Sequence, residues 1–196
     1  MLVRELMTPD PVVVTPETSI KEAISRLADM GITSMPVVDK HHKLRGIVSE
    51  ADLIREVVPR DPRAQERPIE IEPLYPPHAV EDVYTRSAVS VHADDDVAIA
   101  VETMTALSAK SLPVLDDHGR LIGIVSRSDV VQALARTDDV IAADLDNLFE
   151  ELDHGDWLVE VDEGVVDISG PEGSAEHSLA VVVARTVPGV IEVRCR

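Results

Sequence analysis

The pattern of apolar and polar positions in the first quarter of the chain predicts a short series of strands and helices. Three valines at residues 12–14 predict a strand. The next apolar positions recur at helical spacing: Ile20, Ala23, Ile24 and Leu27. Apolar residues 35–38 and 44–49 predict two strands joined by a polar turn at 39–42, and a second helix is expected from about Ala51. The predicted order is therefore β-α-β-β-α.

The same series of elements returns further along the chain. Residues 6–54 align with residues 83–131 at a constant offset of 77 without a gap, and 15 of the 49 positions are identical. The identical pairs include Pro36/Pro113, Gly46/Gly123, Ser49/Ser126 and Asp52/Asp129. Duplication is the expected cause, so the second copy is predicted to have the same order of elements.

Each copy carries a predicted cap before its first helix. Ser19 and Glu22 have the spacing of a capping box. The acidic run Asp94-Asp95-Asp96 stands at the equivalent place in the second copy. A metal site is the alternative reading of that run, but acids before a helix favour a cap at the positive end of the helix dipole.

After the second copy the repeat ends, and residues 137–196 predict the order α-β-β-α-β. The first helix is indicated by Val140, Ile141, Leu145, Leu148 and Leu152. Strands are predicted at 157–161, 165–170 and 190–193, with a helix over 174–186 before the last of them. Trp157 is interpreted as a core residue.

Prolines separate the two copies, since six of the 13 fall within residues 55–79. Proline excludes a regular helix or central strand there. The predicted domains are a first repeat at 1–58, a Pro-rich connector at 59–79, a second repeat at 80–136 and an acidic domain at 137–196. The fold class is predicted as α/β (α+β).

Charge is distributed unevenly along the chain. The net charge is −19, and residues 137–196, with 3 basic and 15 acidic side chains, contribute −12 of it. This balance argues against nucleic acid and anionic membranes as partners, because both require a basic face. No apolar run approaches the ~18 residues of a membrane span, and the single cysteine, Cys195, has no partner for an intrachain disulfide. A cytoplasmic protein is expected.

The two runs Gly-Ile-Val-Ser-x-x-Asp carry the most informative chemistry. In isolation, Ser49 and Asp52, or Ser126 and Asp129, read as a helix capping box. As a duplicated strand-to-helix unit, they also suit a ligand, because a carboxylate accepts hydrogen bonds from a cis-diol and a helix N-terminus attracts phosphate. Both roles can coexist in the same residues.

The duplication, the two Gly-Ile-Val-Ser-x-x-Asp runs and the segments Met35-Pro36-Val37-Val38-Asp39 and Leu112-Pro113-Val114-Leu115-Asp116 resemble a tandem pair of CBS domains. The resemblance covers about residues 1–136. It implies a pseudo-two-fold module that binds adenine nucleotides or other adenosyl compounds and often forms a homodimer.

Carried onto this chain, the resemblance implies two ligand clefts, each built from both copies. The first, cleft A, combines Thr8, Val12, Ile32, Thr33, Ser34, Ser126, Ser128 and Asp129, with Arg127 beside them. The second, cleft B, combines Thr85, Val89, Ala109, Lys110, Ser111, Ser49 and Asp52.

The two clefts differ in charge next to the aspartate. Cleft A has Arg127 and Ser128 there, whereas cleft B has Glu50 and Ala51. Glu50 repels phosphate, which Lys110 partly offsets, so cleft A is predicted to be the better nucleotide site.

The acidic C-terminal residues resemble a BON domain through "VEVDEGVVDISG" and "TVPGVIEV". That resemblance implies contact with membranes or phospholipid, or with protein partners. Because the net charge of −12 disfavours anionic lipid, contact with a protein or a ligand is expected and lipid binding ranks third. The alternative is a solvated acidic domain that aids solubility.

The sequence predicts a regulatory sensor of an adenosyl ligand. No catalytic constellation, catalytic cofactor or metal site is recognised in it, so the protein is not expected to be an enzyme. A ligand-free scaffold that binds an unknown protein partner is the alternative, and an enzyme acting on nucleotides ranks third.

Overall fold

The computed structural model describes residues 1–58 and 77–196, and the chain divides into two compact units. One comprises residues 7–126 and is called the repeat unit. The other comprises residues 1–6 and 127–196 and is called the tail unit.

Helices and strands alternate as the mixed α/β class predicts. In the described residues the helices are α1 (Val3–Leu6), α2 (Ile20–Met30), α3 (Glu50–Val57), α4 (Val97–Ala106), α5 (Arg127–Leu134), α6 (Asp138–Glu151) and α7 (Gly173–Ala184). The strands are β1 (Thr8–Pro9), β2 (Ser34–Val38), β3 (Leu44–Ser49), β4 (Thr85–Arg86), β5 (Val91–His92), β6 (Ser111–Leu115), β7 (Leu121–Ser126), β8 (Leu158–Asp162), β9 (Val165–Ser169) and β10 (Glu192–Cys195). A 3-10 turn, Val80–Asp82, precedes β4.

The repeat unit contains two small sheets, in the orders β1-β7-β6-β5 and β2-β3-β4. Each sheet is built on the antiparallel hairpin of one copy, β2–β3 or β6–β7. The hairpins agree in register, and both shift register at the same place, between Val37 and Val38 or between Val114 and Leu115. The duplication in sequence is thus a duplication in structure.

The first strand of each copy pairs with the sheet of the other copy, and we call it the lent strand of that copy. β1 of the first copy pairs with β7 of the second, and β4 of the second copy pairs with β3 of the first. These two-residue strands were not predicted, because their pairing is non-local and a two-residue segment carries no measurable alternation. The exchange joins the two copies through backbone hydrogen bonds.

The predicted strand at residues 12–14 is wrong in extent. Val14 alone makes a bridge, parallel to Val37, with its N–H donating to the Pro36 carbonyl at 3.1 Å. Pro11 and Pro16, which lack a backbone N–H, flank this segment and limit further pairing. In the second copy Val91, the equivalent of Val14, pairs in the same way with Val114 and forms the short strand β5 together with His92.

Helix α2 begins at its predicted cap and closes over the core of the first copy. Ser19 Oγ accepts a hydrogen bond from the Glu22 N–H at 3.2 Å. In the second copy Asp96 caps α4 by accepting from the Ala98 N–H at 2.9 Å, which confirms the cap interpretation of the acidic run. The apolar face of α2 packs into the core of the first copy, which consists of Val14, Ile20, Ala23, Leu27, Met35, Val37, Val48, Leu53 and Val80.

The hairpin turns of the two copies also match. Asp39 Oδ1 accepts from the N–H groups of Lys43 and His41, and Asp116 Oδ1 accepts in the same way from Arg120 and His118. Backbone donors stabilise a charged carboxylate, so these bonds hold the pKa of Asp39 and of Asp116 below its ordinary value.

The tail unit contains the predicted α-β-β-α-β order as α6, β8, β9, α7 and β10. Its sheet has the order β10-β9-β8, with β10 parallel and β8 antiparallel to β9. Trp157 is buried in the core of this unit, as predicted, with its ring edge-on to Phe149 at 5.0 Å and stacked on His154 at 4.1 Å.

The last strand lies two residues later than predicted. The Val190 N–H closes a turn onto the Val187 carbonyl, and the Ile191 N–H donates to Gly164. Both residues are therefore engaged in the approach to the sheet, and regular pairing starts at Glu192.

Two predictions concern regions or properties outside these elements. The Pro-rich connector at 59–79 lies outside the described residues except for its last three positions. None of the helices in the described ranges has both the length and the apolar character needed to cross a bilayer.

Candidate functional site

The two copies meet at a buried pair of serines. Ser34 Oγ and Ser111 Oγ lie 2.5 Å apart, and the residues are 77 positions apart in the chain. Ser34 faces Ser49 across the first hairpin, and Ser111 faces Ser126 across the second. Four hydroxyl-bearing positions therefore lie in a row across the repeat unit, related by the same offset as the duplication.

The glycine of each Gly-Ile-Val-Ser run makes room for the strand lent by the other copy. A methyl group at Gly46 would overlap the carbonyl oxygen of Thr85, and one at Gly123 would lie 2.6 Å from Met7 Sδ and 3.1 Å from the Thr8 carbonyl oxygen. Thr8 and Thr85, both predicted site residues, are therefore positioned by equivalent close contacts.

In cleft B, Ser49 and Asp52 form a complete capping box at the start of α3. Ser49 Oγ accepts from the Asp52 N–H at 3.3 Å, and Asp52 Oδ2 accepts from the Ser49 N–H at 2.9 Å and from the Ser49 hydroxyl at 2.6 Å. Within the described ranges, Asp52 Oδ1 accepts no hydrogen bond. The capping role is thus realised, and one carboxylate oxygen remains for a diol.

An ion pair between the two copies spans cleft B. Lys110 Nζ donates to Glu50 Oε1, and the two side chains are 58% and 40% exposed. Lys110 was predicted to offset the repulsion of phosphate by Glu50. The geometry instead pairs the two charges with each other, so an incoming phosphate meets a neutralised pair. Such an exposed pair contributes only about 0–1 kcal/mol to stability.

The remaining residues predicted for cleft B differ in their surroundings. Thr85 lies on β4, opposite Ile47 on β3. Val89 is exposed on the segment between β4 and β5, and Ala109 is half-buried just before β6. The structure therefore brings Ser49, Asp52, Lys110 and Ser111 into one region of the repeat unit.

The predicted members of cleft A are divided between the two units and are described within each. In the repeat unit, Val12 and Ile32 pack against the core of the first copy. The Thr33 carbonyl accepts from the Glu50 N–H at 2.9 Å, and Thr8 pairs with Ile124. Ser34 and Ser126 belong to the serine row.

In the tail unit, Arg127, Ser128 and Asp129 form the first turn of α5. Arg127 and Ser128 are exposed, whereas Asp129 is half-buried. Asp129 lines a cavity of about 310 Å³ together with Glu5, Leu6, Gln132, Ala133, Arg136 and Pro188.

Four polar or turn residues of this cavity, Glu5, Gln132, Arg136 and Pro188, were missed from the sequence. Gln132 follows Asp129 at i+3, which places the two residues on one face of α5, whereas Arg136 lies beyond the end of that helix at Leu134. That spacing was a usable signal. Pro188 was not predictable as a neighbour, because it is far away in the chain and reaches the cavity only through the fold of the tail unit.

Across residues 1–58 and 77–196, no group of three or more histidine, cysteine or acidic side chains is arranged to hold a metal ion. The Cys195 thiol is half-buried on β10, and burial raises its pKa. The lining of the Asp129 cavity includes the polar side chains of Glu5, Asp129, Gln132 and Arg136, which can hydrogen-bond to a polar ligand.

Two solved CBS domain pairs are similar to this chain. The CBS domain pair of protein MJ0100, solved with 5′-methylthioadenosine and S-adenosyl-L-methionine, is 27% identical, with a TM-score of 0.55 over 67% of this chain and 94% of that one. CBSX2 from Arabidopsis thaliana, solved with AMP, is 28% identical, with a TM-score of 0.53 over the same shares of the two chains.

Among curated relatives, the similarity extends to proteins of different length. An uncharacterized protein of Methanocaldococcus jannaschii is 30% identical over 154 residues, which cover 68% of this chain and 91% of the relative. The A-adding tRNA nucleotidyltransferase of Aquifex aeolicus is 31% identical over 132 residues, which cover 67% of this chain but 14% of the enzyme. The match to the enzyme is therefore confined to a small part of its length.

The family model for the CBS domain matches twice, at residues 3–59 and 80–136. Together with the exchanged strands and the serine pair at the 77-residue offset, the match accounts for the duplication in sequence and structure. The chain belongs to the CBS domain family and carries a tandem pair of these domains.

Proposed function

We propose that this protein is a regulatory sensor that binds an adenosyl ligand at its paired CBS domains. The supporting observation is its likeness to two CBS pairs solved with adenosyl ligands, each covered over 94% of its length. AMP, 5′-methylthioadenosine and S-adenosyl-L-methionine share an adenine and a ribose diol. The proposed recognition therefore rests on groups that contact the nucleoside, with selectivity set by what surrounds the variable end.

Asp52 and Asp129 are the proposed ribose contacts. Each stands in the first turn of a helix that follows the last strand of a copy, so we place the carboxylate and the N-terminal end of that helix against the same ligand. In Asp52 the Oδ2 atom serves the cap, which leaves Oδ1 as the proposed diol acceptor.

The two clefts are proposed to differ in their preference for phosphate. Arg127 and Ser128 supply a cation and a hydroxyl donor beside Asp129, and both side chains are exposed. In cleft B the Glu50 carboxylate neutralises Lys110. We therefore assign phosphate-bearing ligands to the cleft of Asp129 first.

Calorimetry on the full chain tests the function. The panel is AMP, ADP, ATP, S-adenosylmethionine, NAD and cyclic dinucleotides, and the variant is Asp52→Ala/Asp129→Ala. The matched control is Asp139→Ala, which also removes an acid from the first turn of a helix, α6. We expect at least one ligand to bind wild type and the control, and binding to fall at least about tenfold in the double variant. Undiminished binding in the double variant would refute the site assignment.

A homodimer through the repeat unit is proposed as the assembled form. The outer face of α4 exposes Ile99 and Leu107 at 49% and 53%. The equivalents in the first copy are Glu22 and Met30, so α4 presents an apolar residue where α2 presents a charge. A helix that is apolar on its outer face requires a cover, and we assign that cover to a second copy.

Sedimentation of Ile99→Lys tests that assembly. The variant is expected to shift toward monomer, whereas the control Leu158→Lys, at an exposed position of β8, is expected to sediment as wild type does. Identical sedimentation of Ile99→Lys and wild type would remove α4 from the interface.

Residues 137–196 are proposed to form a BON-like domain that contacts a protein or ligand. The support is the element order α6-β8-β9-α7-β10 and a mixed three-stranded sheet with one face covered by its helices. The net charge of this segment is the reason that we place lipid behind protein as its partner. The domain bounds 1–58, 59–79, 80–136 and 137–196 are likewise part of the proposal.

A ligand-free scaffold is the second candidate. The complete Ser49–Asp52 capping box and the Glu50–Lys110 pair favour it, because they give Ser49, Asp52 Oδ2, Glu50 and Lys110 partners within the protein. Absence of any thermal shift with the whole panel would support the scaffold. Conversion of bound ATP to products would instead support an enzyme, whereas we propose binding without turnover in the cytoplasm.

A further inference from the structure

Helix α5 connects the proposed ligand contact with the C-terminal domain. It starts at Arg127, two residues before Asp129, and it belongs to the same compact unit as residues 137–196. Only three residues separate its end at Leu134 from the start of α6 at Asp138. A ligand that contacts the first turn of α5 therefore contacts a helix that belongs to the tail unit.

The cavity of about 310 Å³ at Asp129 has walls from two sources. Asp129, Gln132, Ala133 and Arg136 line it from one face of α5 and the residues just after it. Pro188, in the turn before β10, lines it from the C-terminal domain. This volume is at the lower end of small-molecule sites, so the cavity suits part of a nucleoside rather than a whole dinucleotide.

Arg136 holds these two walls together. Its Nη1 donates to the Pro188 carbonyl at 3.2 Å, and its Nη2 donates to Asp144 Oδ2 on α6 at 2.5 Å. The Arg136 side chain is 25% exposed and that of Asp144 is 44% exposed, so the arginine end of the pair is half-buried and its carboxylate end reaches solvent. Guanidinium carries five N–H donors in a fixed plane, and its position is therefore sensitive to any group that enters the cavity.

Close packing surrounds this contact. Asp138 accepts from the N–H groups of Glu163 and Gly164, both at 2.9 Å, which ties the start of α6 to the β8–β9 turn. A methyl group at Gly189 would lie 3.2 Å from the Ala133 carbonyl oxygen and 2.8 Å from a side-chain carbon of Ile141. The turn at Pro188 and Gly189 thus packs closely against Ala133 of α5 and Ile141 of α6.

We propose that the C-terminal domain completes the ligand cavity at Asp129, and that Arg136, through Pro188, makes the stability of that domain depend on occupancy of the cavity. This coupling rests on the proposed function, and it identifies the C-terminal domain as the part of the protein that responds to a bound ligand. We call the contacts of Arg136 with Pro188 and Asp144 the clasp. A ligand changes the stability of the domain only by its differential affinity for the arrangement in which the clasp is formed.

The chain contains its own reporter for this coupling. Trp157 is its single tryptophan and is buried in the core of the C-terminal domain. Its fluorescence therefore follows that domain and not the repeats. Calorimetry with AMP reports binding separately.

The test follows unfolding of the full chain by Trp157 fluorescence, with and without AMP at about a hundredfold above its Kd. The variant is Arg136→Met, which keeps the aliphatic length and removes the donors. The matched control is Arg194→Met, which removes an exposed arginine from its ion pair with Glu192 on β10. AMP is expected to raise the midpoint in wild type and in the control, and by less than half as much in Arg136→Met. An equal rise in Arg136→Met, or no rise in wild type that binds AMP, would overturn the inference.

Asp144→Asn serves as a second variant if Arg136→Met does not fold, since it weakens the clasp and leaves Arg136 in place.

Hydrogen exchange without ligand gives an independent result. Segments 127–134 and 187–191 are expected to exchange faster together in the clasp variants and to stay unchanged in Arg194→Met. Unchanged exchange in the clasp variants would refute the clasp. If AMP does not bind wild type, the unfolding test uses the panel ligand that does, and failure of every panel ligand to bind would refute only the proposed function.

Discussion

The two copies of the repeat share a backbone and differ in the residues that face a ligand. "GIVSEAD" and "GIVSRSD" each place a glycine against the strand contributed by the other copy and a serine within the serine row. Between them, Glu50 and Ala51 replace Arg127 and Ser128. Within one seven-residue run, the glycine and serine that build the fold are therefore separate from the two residues that set the charge presented to a ligand.

The first helices of the copies show the same separation. Ser19 caps α2 and Asp96 caps α4, so both helices begin in the same way. Their outer faces differ, because Glu22 of α2 corresponds to Ile99 of α4. The second copy therefore carries the apolar surface assigned to a partner copy as well as the cation assigned to phosphate.

Alanine at the two equivalent glycines should break the symmetry most strongly. Gly46→Ala places a methyl group against the backbone oxygen of Thr85, whereas Gly123→Ala meets first the flexible side chain of Met7. We expect Gly46→Ala to lower the free energy of unfolding by about 3 kcal/mol or more and Gly123→Ala by about 1 kcal/mol. Urea unfolding measures both, and equal losses would show that the lent strands are not positioned by these contacts.

The serine pair should give a smaller effect that is equal in both copies. Ser34→Ala or Ser111→Ala leaves the other buried hydroxyl without its partner, at a cost of about 1–3 kcal/mol in unfolding free energy. The double variant is expected to lose less than the sum of the single losses, because no hydroxyl is then orphaned. Strict additivity in a double-mutant cycle would show that the two hydroxyls do not depend on each other.

Exchanging the ligand-facing residues should sharpen the comparison. Glu50→Arg/Ala51→Ser, made in an Asp129→Ala background, gives cleft B the charge and hydroxyl of cleft A. We expect its affinity for AMP to rise roughly tenfold, about 1.4 kcal/mol, while its affinity for uncharged adenosine stays within about twofold. The control is Glu22→Arg, which makes the same change of charge on α2. An unchanged affinity for AMP would remove Glu50 and Ala51 as the source of selectivity.

Much of this architecture could be read from local patterns. The hairpins, the caps at Ser19 and Asp96 and the order of elements after residue 137 follow from periodicity and capping signals that act over a few residues. The duplication, read at a constant offset, linked Ser49 with Ser126 before any geometry was known.

What escaped prediction depends on contacts between distant residues. Strands β1 and β4 are two residues long and gain their partners only when the copies exchange them. The pairing of Lys110 with Glu50 and the approach of Pro188 to Arg136 also join residues far apart in sequence. The individual charges were visible in the sequence, but their partners were not.

The inequality of the clefts is tested most directly by titrating AMP into wild type, Asp52→Ala and Asp129→Ala in a calorimeter. The tighter of the binding steps in wild type is expected to persist in Asp52→Ala and to disappear in Asp129→Ala, because phosphate meets Arg127 and Ser128 in one cleft and a neutralised Glu50–Lys110 pair in the other. Loss of the tighter step in Asp52→Ala, with its retention in Asp129→Ala, would contradict the account.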